Sequence, residues 1–169
     1  MRSYPSPSSS TFAAAQSAFD ALQKRLKDAE TMSLDHDDIE ALVEKDGAEL
    51  LRRLIQGHFD LRALAEVARE APTDAEQVER TRRHRTSRPL ATVFGDCRVH
   101  RLTFTARGTS GGLRPLDADL NLPPELYSLL LRRRVATLSM DGSFEAAGDK
   151  LASLTARAIS KRQVEELVV

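Results

Sequence analysis

The spacing of the apolar residues changes near residue 89, and this change restricts the folds that the chain can adopt. Before it, apolar residues recur every three or four positions, as on one face of an amphipathic helix. After it, Leu90, Thr92 and Phe94 alternate with their neighbours, which is the period of a β-strand. Helical spacing returns from about residue 126 onward. The sequence therefore predicts a mainly α fold with a small central β-hairpin.

These periods divide the chain of 169 residues into five predicted regions. Residues 1–10 are rich in serine and proline, which is typical of a disordered tail. Residues 11–71 are predicted to form an N-terminal helical hairpin or small bundle, and residues 72–88 a basic linker. Residues 89–112 are predicted to form the antiparallel hairpin. Residues 113–169 are predicted to be helical and to end in a helix-turn-helix.

Four local signals refine this division. Ser33 or Asp35 can cap the start of the second helix, because both side chains accept hydrogen bonds from backbone N–H groups. Gly57, inside an apolar stripe, predicts a bend or a close helix contact. Gly95-Asp96 predicts the turn of the hairpin. Pro123-Pro124 predicts the start of a helix, where a missing N–H does no harm.

The charges balance overall but are unevenly distributed. The chain has 25 basic and 25 acidic residues, so its net charge is zero. Residues 31–79 carry five basic and thirteen acidic groups, a net charge of −8, whereas residues 80–115 carry nine and one, a net charge of +8. This asymmetry indicates either a polyanion bound to one surface or pairing of the two blocks with each other.

Other features exclude several classes of protein. Cys97 is the only cysteine, so the chain has no intramolecular disulfide and no cysteine-based zinc finger. The sequence shows no apolar run of membrane-spanning length and no signal-peptide pattern. We therefore expect a cytoplasmic protein without a membrane partner.

The last residues predict a helix-turn-helix. Ser160 and Gln163 fit the S-x-x-Q capping box of a new helix, and the preceding turn would contain Arg157. The first turn of that helix carries Lys161, Arg162 and Gln163, which can contact phosphates and base edges in the major groove. The same pattern also fits an ordinary pair of packed helices.

Two arginine clusters add possible phosphate contacts. The first is predicted to be a flexible basic arm and contains Arg80, Arg82, Arg83, His84, Arg85 and Arg88. The second contains Arg132, Arg133 and Arg134, which spread over about 200° of a helix, so they cannot all be buried. Both clusters could instead neutralise the acidic helices.

No catalytic or cofactor constellation emerges from the sequence. The Asp35–Asp38 run is typical of helix capping rather than of a metal site. Cys97 has no neighbouring base in the sequence that would make it a nucleophile. The loop at residues 108–112 lacks the G-K-[ST] ending of a phosphate-binding loop. We expect no cofactor, no small-molecule ligand and no metal.

Several stretches together resemble the N-terminal half of ISKra-type insertion-sequence transposases. The resemblance runs from about Asp46 to the last residue, and its most specific parts are RPLDADLNLPPELYS…LRRRVA and SKRQVEELV. It implies a helical front, a β-hairpin at TVFG, and a helix-turn-helix that engages the DNA ends of the element. It also implies a following ribonuclease-H-like domain with an Asp-Asp-Glu metal triad.

The sequence departs from that family in three ways. It ends before such a catalytic domain, it has Ser128-Leu129-Leu130 where the family commonly has Ser-His-Gly, and it has Ala156 where the family usually has glycine. Strand transfer needs two metal ions about 4 Å apart, held by carboxylates on a rigid sheet. We therefore expect a truncated transposase fragment that is not an enzyme.

The hypothesis from the sequence is a nucleoid-associated protein that binds double-stranded DNA at the terminal repeats of the element. An alternative is a protein-interaction module that forms a homodimer or regulates an intact transposase. A third possibility is a remnant without function.

Overall fold

The computed structural model describes residues 10–140, 143–154 and 160–168. In this part of the chain six helices flank one two-stranded antiparallel hairpin, which confirms a helical fold with a central β-hairpin. The elements in chain order are α1 (Ala13–Lys27), α2 (His36–Glu66), β1 (Arg82–Thr92), β2 (Gly95–Thr105), α3 (Pro115–Asp119), α4 (Leu129–Ser139), α5 (Phe144–Leu154) and α6 (Lys161–Val168). None of these helices combines the length and the apolar character needed to cross a membrane.

Helices α1 and α2 form the predicted helical hairpin. The Asp35 side chain accepts a hydrogen bond from the backbone N–H of Asp38 at 3.1 Å, so Asp35 caps α2. The start of α1 lies directly over Gly57: a Cβ there would be 2.6 Å from the carbonyl oxygen of Thr11. Gly57 therefore permits a close helix contact, one of the two predicted roles.

The turn of the β-hairpin lies two residues before the predicted one. Thr92 pairs with Gly95, so Val93-Phe94 form the turn and Asp96 belongs to β2. The buried Thr92 hydroxyl accepts from the N–H of Phe94 at 3.2 Å and donates to the carbonyl of Gly95 at 2.8 Å. Gly95 has φ of +117°, which explains why a glycine follows the turn.

The predicted linker and hairpin boundaries are wrong. Strand β1 begins at Arg82, so the linker is limited to residues 72–81 and the strand includes all the arginines of the predicted flexible arm except Arg80. β2 ends at Thr105 rather than near residue 112. The sequence signal was weak because residues 82–88 are polar on both faces, and a strand with little buried surface shows no apolar alternation.

Helix α2 runs along the outer edge of β2 and covers its backbone groups. The Gln56 amide accepts from the N–H of Arg98 at 2.7 Å and donates to the carbonyl of Arg98 at 2.8 Å. Further along, the Glu66 carboxylate accepts from the N–H of Leu102 at 2.6 Å. Side chains of a helix thus take the place of a neighbouring strand.

The predicted helix start at Pro123-Pro124 is wrong. Helix α4 begins at Leu129, after the Ser128 hydroxyl caps it by accepting from the N–H of Leu131 at 3.2 Å. The preceding residues bend and then run beside β1 instead, because Leu126 and Ser128 pair through their backbones with Ala91. Pairing with a strand edge overrides the helix-start signal of the two prolines.

The hairpin lies between two apolar cores. One joins Leu90 and Val99 to α2 and α3 through Ala63 and Leu116. The other joins the turn end of β1 to the last three helices; its buried members are Ala91, Val93, Leu131, Val135, Ala147, Leu151, Val164 and Leu167. Burial on both sides fixes the turn end of the hairpin.

Candidate nucleic-acid interface

Helices α4, α5 and α6 pack on one another around the second core. Val164 and Leu167 of α6 are buried against Leu131 and Val135 of α4 and against Leu151 of α5. The connection between α5 and α6, residues 155–159, lies outside the described residues together with Arg157. The structure gives three packed helices in this region; the predicted helix-turn-helix within them stays a prediction.

The start of α6 has the predicted capping box. The backbone N–H of Ser160 donates to Oε1 of Gln163 at 3.0 Å, and the Ser160 hydroxyl donates to the same atom at 3.1 Å. The N–H of Gln163 lies 3.4 Å from the Ser160 hydroxyl. A bidentate contact to adenine needs the amide oxygen of a glutamine, and here that oxygen is engaged within its own helix. Gln163 therefore caps α6 in this structure, and its predicted contact with a base would require that oxygen to leave the cap.

The first turn of α6 leaves Arg162 on the surface. Arg162 and Ser160 are exposed, whereas Val164 two positions later is fully buried. The helix is thus oriented by its apolar residues with Arg162 on the opposite side. The Lys161 side chain lies outside the described part of the chain.

The three arginines of α4 have different surroundings. Arg132 forms an ion pair with Glu125, with 2.9 Å between Nη1 and the carboxylate. Arg133 and Arg134 are exposed and, with Thr137, Leu138 and Leu151, line a shallow groove between α4 and α5. Two of the three predicted phosphate contacts are thus presented to solvent.

The arginines around β1 also fall into two groups. Arg80 is buried and its Nε lies 2.7 Å from the carboxylate of Asp74, which holds the loop before the strand. Arg88 is half-buried, and its guanidinium donates to the backbone carbonyls of Pro123 and, at the other Nη, Glu125. These two residues are structural.

The remaining members of that cluster are exposed on the first half of the strand. They are Arg82, Arg83, His84 and Arg85. The guanidinium of Arg83 lies over the ring of Phe104 with its carbon 5.7 Å from the centroid, and the His84 imidazole lies 3.1 Å from the Thr105 hydroxyl. From Arg82 onward, the predicted flexible arm is therefore a strand, and the side chains of Arg83 and His84 contact β2.

The two exposed groups of arginines lie on different parts of the fold, one on the first half of β1 and the other on α4 and α6. Ala91 marks the contact of β1 with the last three helices, and Arg85 precedes it by six residues. At roughly 3.3 Å per residue, this is a separation of about 20 Å along the strand. The first group therefore lies about 20 Å, along the strand, from the point where β1 contacts the helices that carry the second group.

Burial shifts the pKa of two side chains of types that often act in catalysis, a cysteine thiol and a histidine imidazole. Burial raises the pKa of the Cys97 thiol, so the reactive thiolate is disfavoured. Burial likewise lowers the pKa of His100, although nearby Asp60 raises it. Within the described residues, no three His, Cys, Asp or Glu side chains are placed to hold a metal ion.

One buried charged residue was missed by the sequence analysis. Glu66 is 3% exposed, and its carboxylate joins β2 to α3 by accepting from the N–H groups of Leu102 and Leu116. A signal was present: Glu66 lies three residues after Ala63 and seven after Phe59, on the same apolar face of α2, where a charged residue is unexpected.

Comparison with known proteins gives no family for this chain, because no family model, curated protein or solved structure matches it.

Proposed function

We propose that this chain binds double-stranded DNA, as the DNA-binding part of an ISKra-type insertion-sequence transposase. The observation that supports this proposal is the exposure of arginines on ordered elements. Arg82, Arg83 and Arg85 lie on β1, Arg133 and Arg134 lie on α4, and Arg162 lies in the first turn of α6. These exposed arginines would contact phosphates, while Arg162 and Lys161 would be the candidates for base recognition.

The spacing of these residues is compatible with a duplex. Arg82 and Arg85 are three residues apart on β1, about 10 Å along the strand, so their contacts fit within one helical turn of B-DNA, which is about 34 Å long. Because the strand and the helix are fixed by packing, little backbone entropy is lost on binding, although each immobilised arginine side chain costs about 0.5–1.5 kcal/mol. Five arginine–phosphate contacts would give a salt slope of about −4.5, or roughly a 500-fold loss of affinity between 50 and 200 mM salt.

The test measures fluorescence polarisation with duplexes that tile the DNA flanking the gene, at several salt concentrations. Replacing Arg133 and Arg134 by alanine should flatten the salt slope by about 1.8, because two phosphate contacts are lost. The matched control replaces Lys24 and Lys27, two exposed basic residues of α1, and should leave the slope unchanged. Equal slopes for both variants would contradict the proposal.

Sequence recognition is tested separately through Arg162. If Arg162 contacts a base edge, its replacement by alanine should cost about 1–3 kcal/mol on the preferred duplex and much less on other duplexes. If the unaltered protein binds every duplex with equal affinity, its binding is non-specific. It then does not recognise the end of an element.

A second candidate function is self-association through the helical hairpin. Three leucines of α2 are exposed along one side of the helix: Leu51, Leu54 and Leu61, at 43%, 40% and 46%. As the alternative to DNA binding, we infer that this leucine surface of α2 is the interface of a homodimer. Replacing Leu54 by glutamate should then lower the mass measured by light scattering, whereas replacing Lys161 and Arg162 by alanine should abolish DNA binding and leave self-association unchanged.

A further inference from the structure

The pair formed by α1 and the first half of α2 has almost no core of its own. Residues 10–55 are all described, and Ala15 is the only apolar residue among them that is buried. Helices in proteins obtain most of their stability by packing an apolar face against other elements. This pair therefore leaves large apolar side chains that a further partner would cover.

Exposed apolar side chains from the two helices lie next to each other. The ring of Phe12 lies over Gly57, because a Cβ at Gly57 would be 2.8 Å from a carbon of that ring. Leu54 and Leu61 lie three residues before and four residues after Gly57, so they share its side of α2. Phe12 of α1 and the two leucines of α2 thus belong to one surface.

Helical periodicity extends this surface along both helices. Phe19 follows Phe12 by seven residues, and Val43 precedes Leu54 by eleven, spacings close to two and three full turns. The α1–α2 face is then defined by five side chains exposed to between 37% and 46%: Phe12, Phe19, Val43, Leu54 and Leu61.

The area of the α1–α2 face matches one side of a dimer interface. At roughly 200 Å² for a large apolar residue, its five members expose about 400 Å² together. A standard interface covers about 800 Å² per partner and is a little more than half apolar, so it contains about 450 Å² of apolar surface. A second copy of the chain would therefore cover this face with a matching face.

Charge indicates how two copies pair. Helix α1 has three basic residues and one acidic residue, a net charge of +2, whereas residues 36–50 of α2 have one basic and six acidic residues, a net charge of −5. Opposite potentials across an interface fix its register. We propose that two copies associate through the α1–α2 face as a four-helix bundle in which α1 of each copy packs on α2 of its partner. This inference rests on the self-association proposed above and adds α1 to the interface.

The arrangement also places the basic strands of the two copies. Every helix is antiparallel to both of its neighbours, as in up-and-down bundles, and the two-fold axis runs along the helices. Both copies then have the end of α2 at the same end of the bundle. Arg83 donates to the carbonyl of Val67, just after α2, so the basic half of β1 lies at that end. Such a dimer presents two basic strands related by two-fold symmetry, which suits inverted sites on one duplex.

The first experiment measures the mass of the full chain by sedimentation equilibrium. We expect about twice the 18.7 kDa of one chain. Phe19→Glu should raise the dissociation constant of the dimer by about 100-fold or more, because it places a charge in the bundle core. The matched control is Ala21→Glu. Ala21 is exposed and lies about 200° further around α1, so the constant should stay within about threefold.

Comparison with Leu54→Glu separates this inference from the self-association on which it rests. If the unaltered chain is a monomer, self-association is refuted and the four-helix bundle with it. If Leu54→Glu dissociates the dimer and Phe19→Glu does not, self-association through α2 is retained and the four-helix bundle is overturned.

Cross-linking tests the arrangement even if Phe19→Glu fails to fold. Gln23 and Gly47 each lie four residues after a member of the α1–α2 face, and the ion pair between Arg25 and Asp46 places them at nearly the same level. In the bundle, Gln23 therefore faces Gly47 of the partner copy. A Cβ at Gly47 has nothing within 4 Å, so the helix accepts a side chain there.

Chains with Gln23→Cys and chains with Gly47→Cys are mixed and oxidised with oxidised glutathione. The mixture should give a disulfide-linked dimer, because the two cysteines are on facing helices. Neither chain alone should do so, because the two copies of α1 are diagonal in the bundle, as are the two copies of α2. The proposal is overturned if the mixture gives no linked dimer, or if either chain links to itself as readily as to the other.

Discussion

Replacing Glu66 by glutamine should weaken the junction of α2, β2 and α3. In the structure each carboxylate oxygen accepts one backbone hydrogen bond, from Leu102 at 2.6 Å and from Leu116 at 3.1 Å. An amide of the same shape has only one oxygen, so its NH₂ group would face one of the two N–H groups. One buried donor would therefore lose its acceptor.

The magnitude follows from two opposing terms. A buried N–H without a partner costs about 1–3 kcal/mol. Removing the buried negative charge offsets part of that cost, because burial raises the pKa of Glu66 and so disfavours the charged form in the folded protein. We expect the free energy of unfolding at pH 7 to fall by about 1–2 kcal/mol.

The dependence on pH distinguishes this mechanism from a loss of packing. Because the pKa of Glu66 is raised in the folded state, the stability linked to its protonation is fully present below the unfolded pKa of about 4.3. It is lost as the pH rises through the folded pKa. The difference between the parent protein and Glu66→Gln should therefore widen as the pH is lowered from 7 to 4.

Urea unfolding followed by circular dichroism at 222 nm measures both quantities. Glu70→Gln, an exposed residue just after α2, is the matched control and should be within about 0.5 kcal/mol of the parent at each pH. If Glu66→Gln also lies within that range at pH 7, or if the difference narrows as the pH falls, the assigned role of Glu66 is refuted.

Two further predictions use the same assay. Gly57→Ala should destabilise the protein by about 1–3 kcal/mol because its Cβ would lie 2.6 Å from the Thr11 carbonyl, whereas Gly47→Ala, with nothing within 4 Å, should stabilise α2 by up to about 1 kcal/mol. A loss from Gly47→Ala equal to that from Gly57→Ala would contradict the close contact of α1. Leu131→Ala should cost about 2–5 kcal/mol in the core of the last three helices, and the adjacent Leu130→Ala, 46% exposed, less than about 1 kcal/mol. Similar losses would contradict the placement of α4.

The sequence predicted those elements whose signals are local. The Asp35 cap, the close contact at Gly57 and the Ser160–Gln163 capping box are all present, because each depends on residues a few positions apart or on a single missing side chain. The central hairpin was also predicted, because Leu90 and the residues after it alternate where both strands are buried.

The errors occurred where a distant segment decides the local structure. Pro123-Pro124 does not start a helix because the following residues pair with Ala91, more than thirty positions earlier in the chain. Residues 82–88 form a strand because β2 pairs with them, although their own sequence is polar and basic.

The division of β1 into two halves has a consequence for any anionic partner. Its second half, around Leu90 and Ala91, is buried on both faces by separate cores, and its first half projects from this anchor with four exposed basic residues. Because a strand has few internal degrees of freedom, the anchor fixes the backbone of Arg82, Arg83 and Arg85 before binding. An arm in a linker would lose about 1–2 kcal/mol of backbone entropy per ordered residue on binding, and a strand has already lost it on folding. The stability of the buried half therefore contributes to the affinity of the exposed half for a duplex.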